Sequence, residues 1–176
     1  KQAVALNRQN LGDMAAFSLP KPVDAAFNTI NSFRHLLSED LAERHLRCMA
    51  NSLRRGGIYV LGLHLTPTAG TAITEESWSA RRGHLGINTH LATHDLNLKS
   101  RTEACTMKMD VYTPTQMFQI VDELVFRTYT WRQLQKLLAT IPELDLVSIF
   151  DFTYQIDESI EIHPETQDIV LILRRK

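Results

Sequence analysis

Cysteine is scarce in this sequence, with two residues in 176, Cys48 and Cys105. They stand far apart and share no metal-binding spacing. They read as reduced, partly buried thiols of a cytoplasmic protein rather than as a disulfide framework. No stretch reaches the run of about eighteen apolar residues that a membrane-crossing helix needs, and no secretory leader pattern is present. An excess of one charge is missing too. Nineteen basic and twenty acidic side chains leave a net charge of -1, so no large field draws a polyanion or a lipid headgroup to the surface. These absences argue against nucleic-acid and membrane partners. Internal repeats and low-complexity tracts are also lacking. What is present is a hydrophobic share of 44%, which suits a folded domain and not a disordered tail. A single domain over residues 1–176 is expected.

Residues 2–12 are a short mixed segment whose first few could end a helix. Pro20 and Pro22 bracket Lys21 as a turn. Val23–Phe27 reads as a strand of a buried sheet. NTINSFRHLL follows as a loop running into a short helical turn. Ser38 is placed to cap a helix, and Glu39 and Asp40 suit its positive end. Leu41, Ala42, His45, Leu46, Met49 and Leu53 then form one apolar stripe. Arg54 and Arg55 suit the far end of this helix, and Gly56 can close it in the left-handed conformation. The almost continuously apolar run Ile58–Leu65 fits a central parallel strand. Strand, helix, glycine pair and strand make a βαβ unit, whose right-handed crossover sets helix 38–54 on one face of the sheet.

Residues 66–86 form a long connection holding Trp78, Arg81 and Arg82. Connections of this length often cover binding sites. From Ile87 to Tyr112 an alternating pattern reads as a hairpin turning at Lys99-Ser100-Arg101. MFQIVDELVF supports helix and strand alike. Thr130 caps a short helix ending at Ala139, strands are expected over Leu144–Tyr154 and Asp168–Arg174, and the short link between them requires antiparallel neighbours. A mixed sheet with helices on both faces is the layer arrangement that fits.

Ligands of open α/β sheets bind outside the carboxyl ends of the strands. Asn28, Thr29, Asn31 and Ser32 follow one such end, and His64 closes another. His35 is the candidate catalytic base, since an imidazole exchanges a proton near neutrality. His64 and Trp78 are candidates for substrate contact. His84, His90 and His94 lack converging carboxylates or thiolates, so no metal is expected.

Three segments, GDMAAFSLPKPVDAAFNTINSFRHL, LRRGGIYVLGLH and FRTYTWRQLQKLLAT, resemble in order and spacing the class I S-adenosylmethionine-dependent methyltransferases that act on small molecules. The resemblance implies an α/β, partial Rossmann-like methyltransferase fold. Its mixed sheet carries an antiparallel final strand pair and an inserted antiparallel β segment over 66–126, a lid or substrate-side element. It implies S-adenosylmethionine as cofactor and methyl transfer to a small-molecule acceptor. Asp13 would take the adenine amino group, Met14 would pack on the ring, and Asn28 and Thr29 would lie by the methionine part. Asn31, Ser32, His64, Trp78, Arg127 and Tyr129 would face the substrate. The family's opening strand and its GxGxG loop are not in these residues, so roughly seventy further residues are expected before Lys1. The strand at Val23–Phe27 would otherwise be a bare edge, to be completed by that segment or by a homo-oligomer. The alternatives are a methyltransferase-like binding or partner module without chemistry, and another doubly wound nucleotide-cofactor enzyme.

Overall fold

The computed structural model describes residues 12–176. The expected helix end near residue 2 lies outside the described residues. Two four-stranded sheets carry the architecture. The first is built from β1 (Val23–Asn28), β2 (Leu53–His64), β7 (Leu144–Phe150) and β8 (Asp168–Arg175), in the order β1-β2-β8-β7. β1 and β2 are parallel, whereas β8 runs antiparallel to both β2 and β7. The second is an antiparallel meander of β3 (Glu75–Arg82), β4 (Leu85–Asn97), β5 (Thr102–Tyr112) and β6 (Met117–Arg127). This is the expected mixed sheet, antiparallel final pair and inserted antiparallel segment.

Helix α1 (Glu39–Ser52) starts where expected. Ser38 Oγ accepts from the Leu41 N–H at 3.1 Å, satisfying a backbone donor that has no partner within the helix. Ala42, His45, Leu46 and Met49 are buried along one side. The helix stops at Ser52, and Leu53 is already extended. Gly56 does take the left-handed conformation, at φ +77°, but inside β2, not as a helix cap. Arg54 therefore lies on the strand and pairs with Asp24 of β1 at 2.7 Å. Gly57 explains why the chain bulges here. A Cβ on it would stand 2.9 Å from the Arg54 carbonyl oxygen and 3.0 Å from that of Asp24, and only a bare Cα tolerates that approach. The β1–β2 register shifts at the same place, between Val23 and Ala25.

Helix α2 (Trp131–Ala139) opens with a reciprocal cap. Thr130 Oγ1 accepts from Gln133 N, and Gln133 Oε1 accepts from Thr130 N. The order S/T-x-x-E/Q encodes this arrangement. Leu134 and Leu137 point from α2 into the core, where they join the α1 stripe, Tyr59, Leu61 and Leu63 of β2, and Ile169, Leu171 and Leu173 of β8. Alternate residues of a strand share a face, so both helices cover the same face of the sheet. The expectation of helices on both faces is corrected: among the described residues the opposite face, carrying Phe27, Ile58, Val60 and Ile172, has no helix upon it.

β1 belongs to the expected sheet and lies at its bare edge. It is an edge strand paired only with β2 among the described residues, and Phe27 is 79% exposed. The meander corrects one reading and decides another. Residues 75–82 are a strand within the supposed connection, and Met117–Arg127 resolves as β6. β7 ends at Phe150, because Asp151 turns the chain by accepting the Thr153 N–H at 2.9 Å. Among the described residues no helix is long and apolar enough to cross a membrane.

Candidate cofactor and acceptor site

The parallel pairing of β1 and β2 brings their carboxyl ends side by side, with Asn28 opposite Leu61. The loop leaving β1 is held tightly. Ile30 and Asn31 both have positive φ, 56° and 64°, a conformation that costs a β-branched residue energy and must be imposed by its surroundings. Asn31 supplies the restraint. Its N–H donates to the Gly62 carbonyl at 3.2 Å, and its Oδ1 accepts from the His64 N–H at 2.7 Å. Asn31 is thus a buried clasp between the two strand ends, and its side-chain oxygen is engaged there. Phe33, in the short 3-10 turn Ser32–His35, plugs the loop into the core. Ser32 is exposed, with Oγ 3.5 Å from the Thr29 carbonyl oxygen. Asn28 Oδ1 is buried and has no partner among the described residues. A buried acceptor left empty is costly, which makes this atom fit a ligand donor.

His64 stands at the mouth of β2, in a crevice closed on its other side by the meander. Two small adjoining hollows meet there, both lined by Arg34, His64, Ile73 and Glu103. The imidazole Nε2 lies 3.3 Å from Asp168 Oδ1 and 3.8 Å from Glu76 Oε1, and Phe152 packs on the ring at 5.1 Å between centroids. Glu103 is neutralised, since it receives Arg34 Nη2 and also accepts from Thr93 Oγ1 at 2.6 Å. Asp168 and Glu76 have no arginine or lysine partner among the described residues, so the wall around His64 is negative. Cys105 lies beneath it, and burial pushes its thiol pKa up, so it is no ready nucleophile.

The Asp13–Met14 segment forms a tight turn. Asp13 Oδ1 accepts from the Ala15 N–H at 2.8 Å, and its carbonyl accepts from Ala16 at 3.1 Å. One carboxylate oxygen thus shapes the turn in an exposed residue, and Met14 is half-buried against the core. Two residues that the sequence did not mark support this turn. His45 Nδ1 donates to the Met14 carbonyl at 2.9 Å, and His45 Nε2 accepts from the Tyr59 hydroxyl at 2.8 Å. Burial pushes the His45 pKa down, partly opposed by the Met14 contact, so the ring is neutral with Nδ1 protonated. A histidine inside an apolar helical stripe was the available signal, since a buried polar ring needs partners.

The other expected site residues lie elsewhere. His35 is exposed, packs on Phe126 at 4.8 Å, and is not among the residues lining the crevice. Trp78 is 48% exposed on β3, on the same sheet face as Glu76 but further from the crevice. His90 bonds Ser77, and His94 meets Glu123. Among the described residues no group of three or more such side chains is placed to hold a metal. Arg127 and Tyr129 are buried away from the crevice. Arg127 Nη2 reaches Glu39 at 2.8 Å and its Nη1 the Leu37 carbonyl at 2.9 Å, so it anchors the meander to α1 and not to α2. Burial pushes the Tyr129 hydroxyl up to about 12, with Arg127 acting against it.

Burial raises the Glu39 pKa, but hydrogen bonds and charge from Arg127 and Arg101 outweigh it and hold the carboxyl below its usual 4.5. Its stabilisation is then present above pH 4.5 and is lost as pH falls from there through the lowered folded value. Glu39→Gln is expected to cost about 1 kcal/mol at pH 7, reduced from a buried-pair value because the side chain is half exposed. Urea midpoints of both proteins from pH 7 to 3 should converge in acid. A gap that stays constant would show that the charge plays no part.

No family model matches the sequence, and the search of curated proteins finds no relative. Similarity appears in three dimensions. An S-adenosylmethionine-dependent methyltransferase from Clostridium acetobutylicum superposes with a TM-score of 0.72 at 11% identity, over 94% of this chain and 63% of that one. An amino pentose methyltransferase of calicheamicin biosynthesis from Micromonospora echinaspora gives 0.64 at 13% identity, over 93% and 63%. A sugar N-methyltransferase from a Streptoalloteichus species gives 0.63 at 15%, over 94% and 61%. The described chain therefore has the Rossmann-like fold of S-adenosylmethionine-dependent methyltransferases and spans a little under two thirds of the length of the structures it matches.

Proposed function

We propose that this chain forms one side of an S-adenosylmethionine-dependent methyl-transfer site, and that the acceptor is an amine on a small molecule. The observation that carries this reading is the His64 imidazole beside Asp168 and Glu76 at the end of β2, the strand that runs parallel to β1 and its last residue Asn28. Asp13 and Met14 offer a carboxylate edge and an apolar side chain for the adenine, while Asn28 and Thr29 lie where the amino-acid part would reach. When bound, the cofactor supplies a methyl group on a positively charged sulfur.

The chain's own residues then act on the acceptor. Glu76 and Asp168 favour its ammonium form on entry. His64 takes the proton from nitrogen, and the two carboxylates hold the resulting imidazolium. The freed nitrogen pair would then be ready to take the methyl group that the bound cofactor supplies, the sulfur keeping the electron pair of the broken bond. Most of the remaining rate comes from alignment and a prepared electrostatic wall. The similarity to an amino pentose methyltransferase and a sugar N-methyltransferase supports a nitrogen acceptor.

Isothermal titration of the intact protein should detect S-adenosylmethionine, and Asp13→Ala should weaken it about tenfold, the worth of one charge-assisted hydrogen bond. Wild-type protein that binds no S-adenosylmethionine would defeat the assignment. Binding of a nicotinamide dinucleotide instead would favour another doubly wound enzyme.

A further inference from the structure

Tyr59 is fully buried at the centre of the sheet, and its hydroxyl has a specific use. It donates to His45 Nε2 at 2.8 Å, and the opposite nitrogen of the same ring holds the Met14 carbonyl at 2.9 Å. On the other side, Tyr59 shares a sheet face with Asn28, which lies two residues beyond Ala26, its register partner on β1. Burial pushes the Tyr59 hydroxyl pKa up, and the Asn28 side chain acts in the opposite direction. Both ring nitrogens are therefore satisfied, and a polar path runs from the turn at Asp13–Met14 through His45 to Tyr59, on the sheet face that also carries Asn28. Polar groups buried in this way are costly unless fully paired, and fully paired networks fix geometry.

We infer that His45 and Tyr59 are positioning residues that set the separation between the Asp13–Met14 turn and Asn28, and so match the site to the full length of S-adenosylmethionine. The inference rests on the methyl-transfer reading, because only that reading places the two ends of one ligand at these two loops. Neither residue touches the ligand. Each acts through a neighbour: His45 through the Met14 carbonyl, and Tyr59 through His45. Phe17 and Phe33 pack on the His45 ring at 6.2 and 5.6 Å, which fixes its plane and leaves the two hydrogen bonds to fix its rotation.

The test compares a ligand that spans both loops with one that reaches a single loop. S-adenosylhomocysteine and adenosine are titrated into wild-type protein and Tyr59→Phe at a temperature where circular dichroism shows both folded. His45→Gln serves as a second variant should the first not fold. The expected result is an about tenfold loss for S-adenosylhomocysteine, one hydrogen bond's worth, with adenosine within about twofold. An equal loss for both ligands overturns the inference, because general loosening does not distinguish ligand length. Unchanged S-adenosylhomocysteine binding overturns it as well. Wild-type protein that binds neither ligand instead removes the methyl-transfer reading on which the inference stands.

Discussion

Replacing His64 by glutamine is expected to slow methyl transfer at pH 7 by about a hundredfold to ten-thousandfold, the usual range for loss of a general base. Glutamine keeps a polar side chain of similar reach but cannot accept the ammonium proton. The backbone N–H of residue 64 would still donate to Asn31, so the loop leaving β1 should hold its shape. Affinity for S-adenosylhomocysteine should accordingly stay within about threefold. The deficit should also shrink as pH rises towards the amine's own ionisation, near 10 for an alkylamine. Release of S-adenosylhomocysteine with amine acceptors, followed from pH 6 to 10, measures this. A deficit of the same size across that range would remove His64 from proton transfer and leave it a packing role beside Phe152.

Phe33→Ala should be the most destabilising single change near the site, at about 3–5 kcal/mol. The ring is fully buried and meets His45 edge-on at 5.6 Å and Tyr129 at 5.8 Å. A turn of four residues has little hydrogen bonding of its own, so this side chain seats it. Its removal leaves a cavity beneath Asn31 and Arg34, the two residues that clasp β2 and brace the meander. Urea unfolding should show a lower midpoint with an unchanged slope, and binding of S-adenosylhomocysteine should weaken in parallel. A loss below about 1 kcal/mol would mean that the neighbouring side chains collapse into the space.

Much of the first sheet was readable because its signals were local. Ser38 with two acids, the stripe through Leu46 and the apolar run of β2 each state their structure within a few residues. Gly56 misled because a left-handed glycine serves a strand bulge as well as a helix end, and only the closeness of Gly57 to the β1 backbone tells them apart. EESWSARR was passed over as a strand because nearly every residue of β3 is exposed, which leaves no alternation to read. MFQIVDELVF satisfied both periods, and pairing along the whole of β5 decided it.

The site was harder. Asp13, Asn28 and His64 entered the candidate site from strand ends and resemblance. Glu76, Asp168 and Glu103 could not, because carboxylates on exposed segments look like solvated surface until another element faces them. The Arg34–Glu103 ion pair joins residues far apart in sequence, a relation that no periodicity carries. His35 drew attention by its nearness to a binding loop, yet a 3-10 turn advances each residue by a third of a revolution, and that phase aims it at Phe126.

The strand that bears His64 has its antiparallel neighbour more than a hundred residues further along, with Tyr59 opposite Leu173 and His64 opposite Asp168. The imidazole and one of its two carboxylates are thus brought together by the longest loop closure in the sheet. Closures of that span are slow, because chain entropy is spent before any contact returns it. During synthesis, β1, α1 and β2 emerge together as a local unit, whereas the pair at His64 waits for β8. A folding intermediate that already holds the strand ends in parallel would still lack Asp168 beside the imidazole, so closure of the proposed site should lag behind acquisition of helical signal in a refolding experiment.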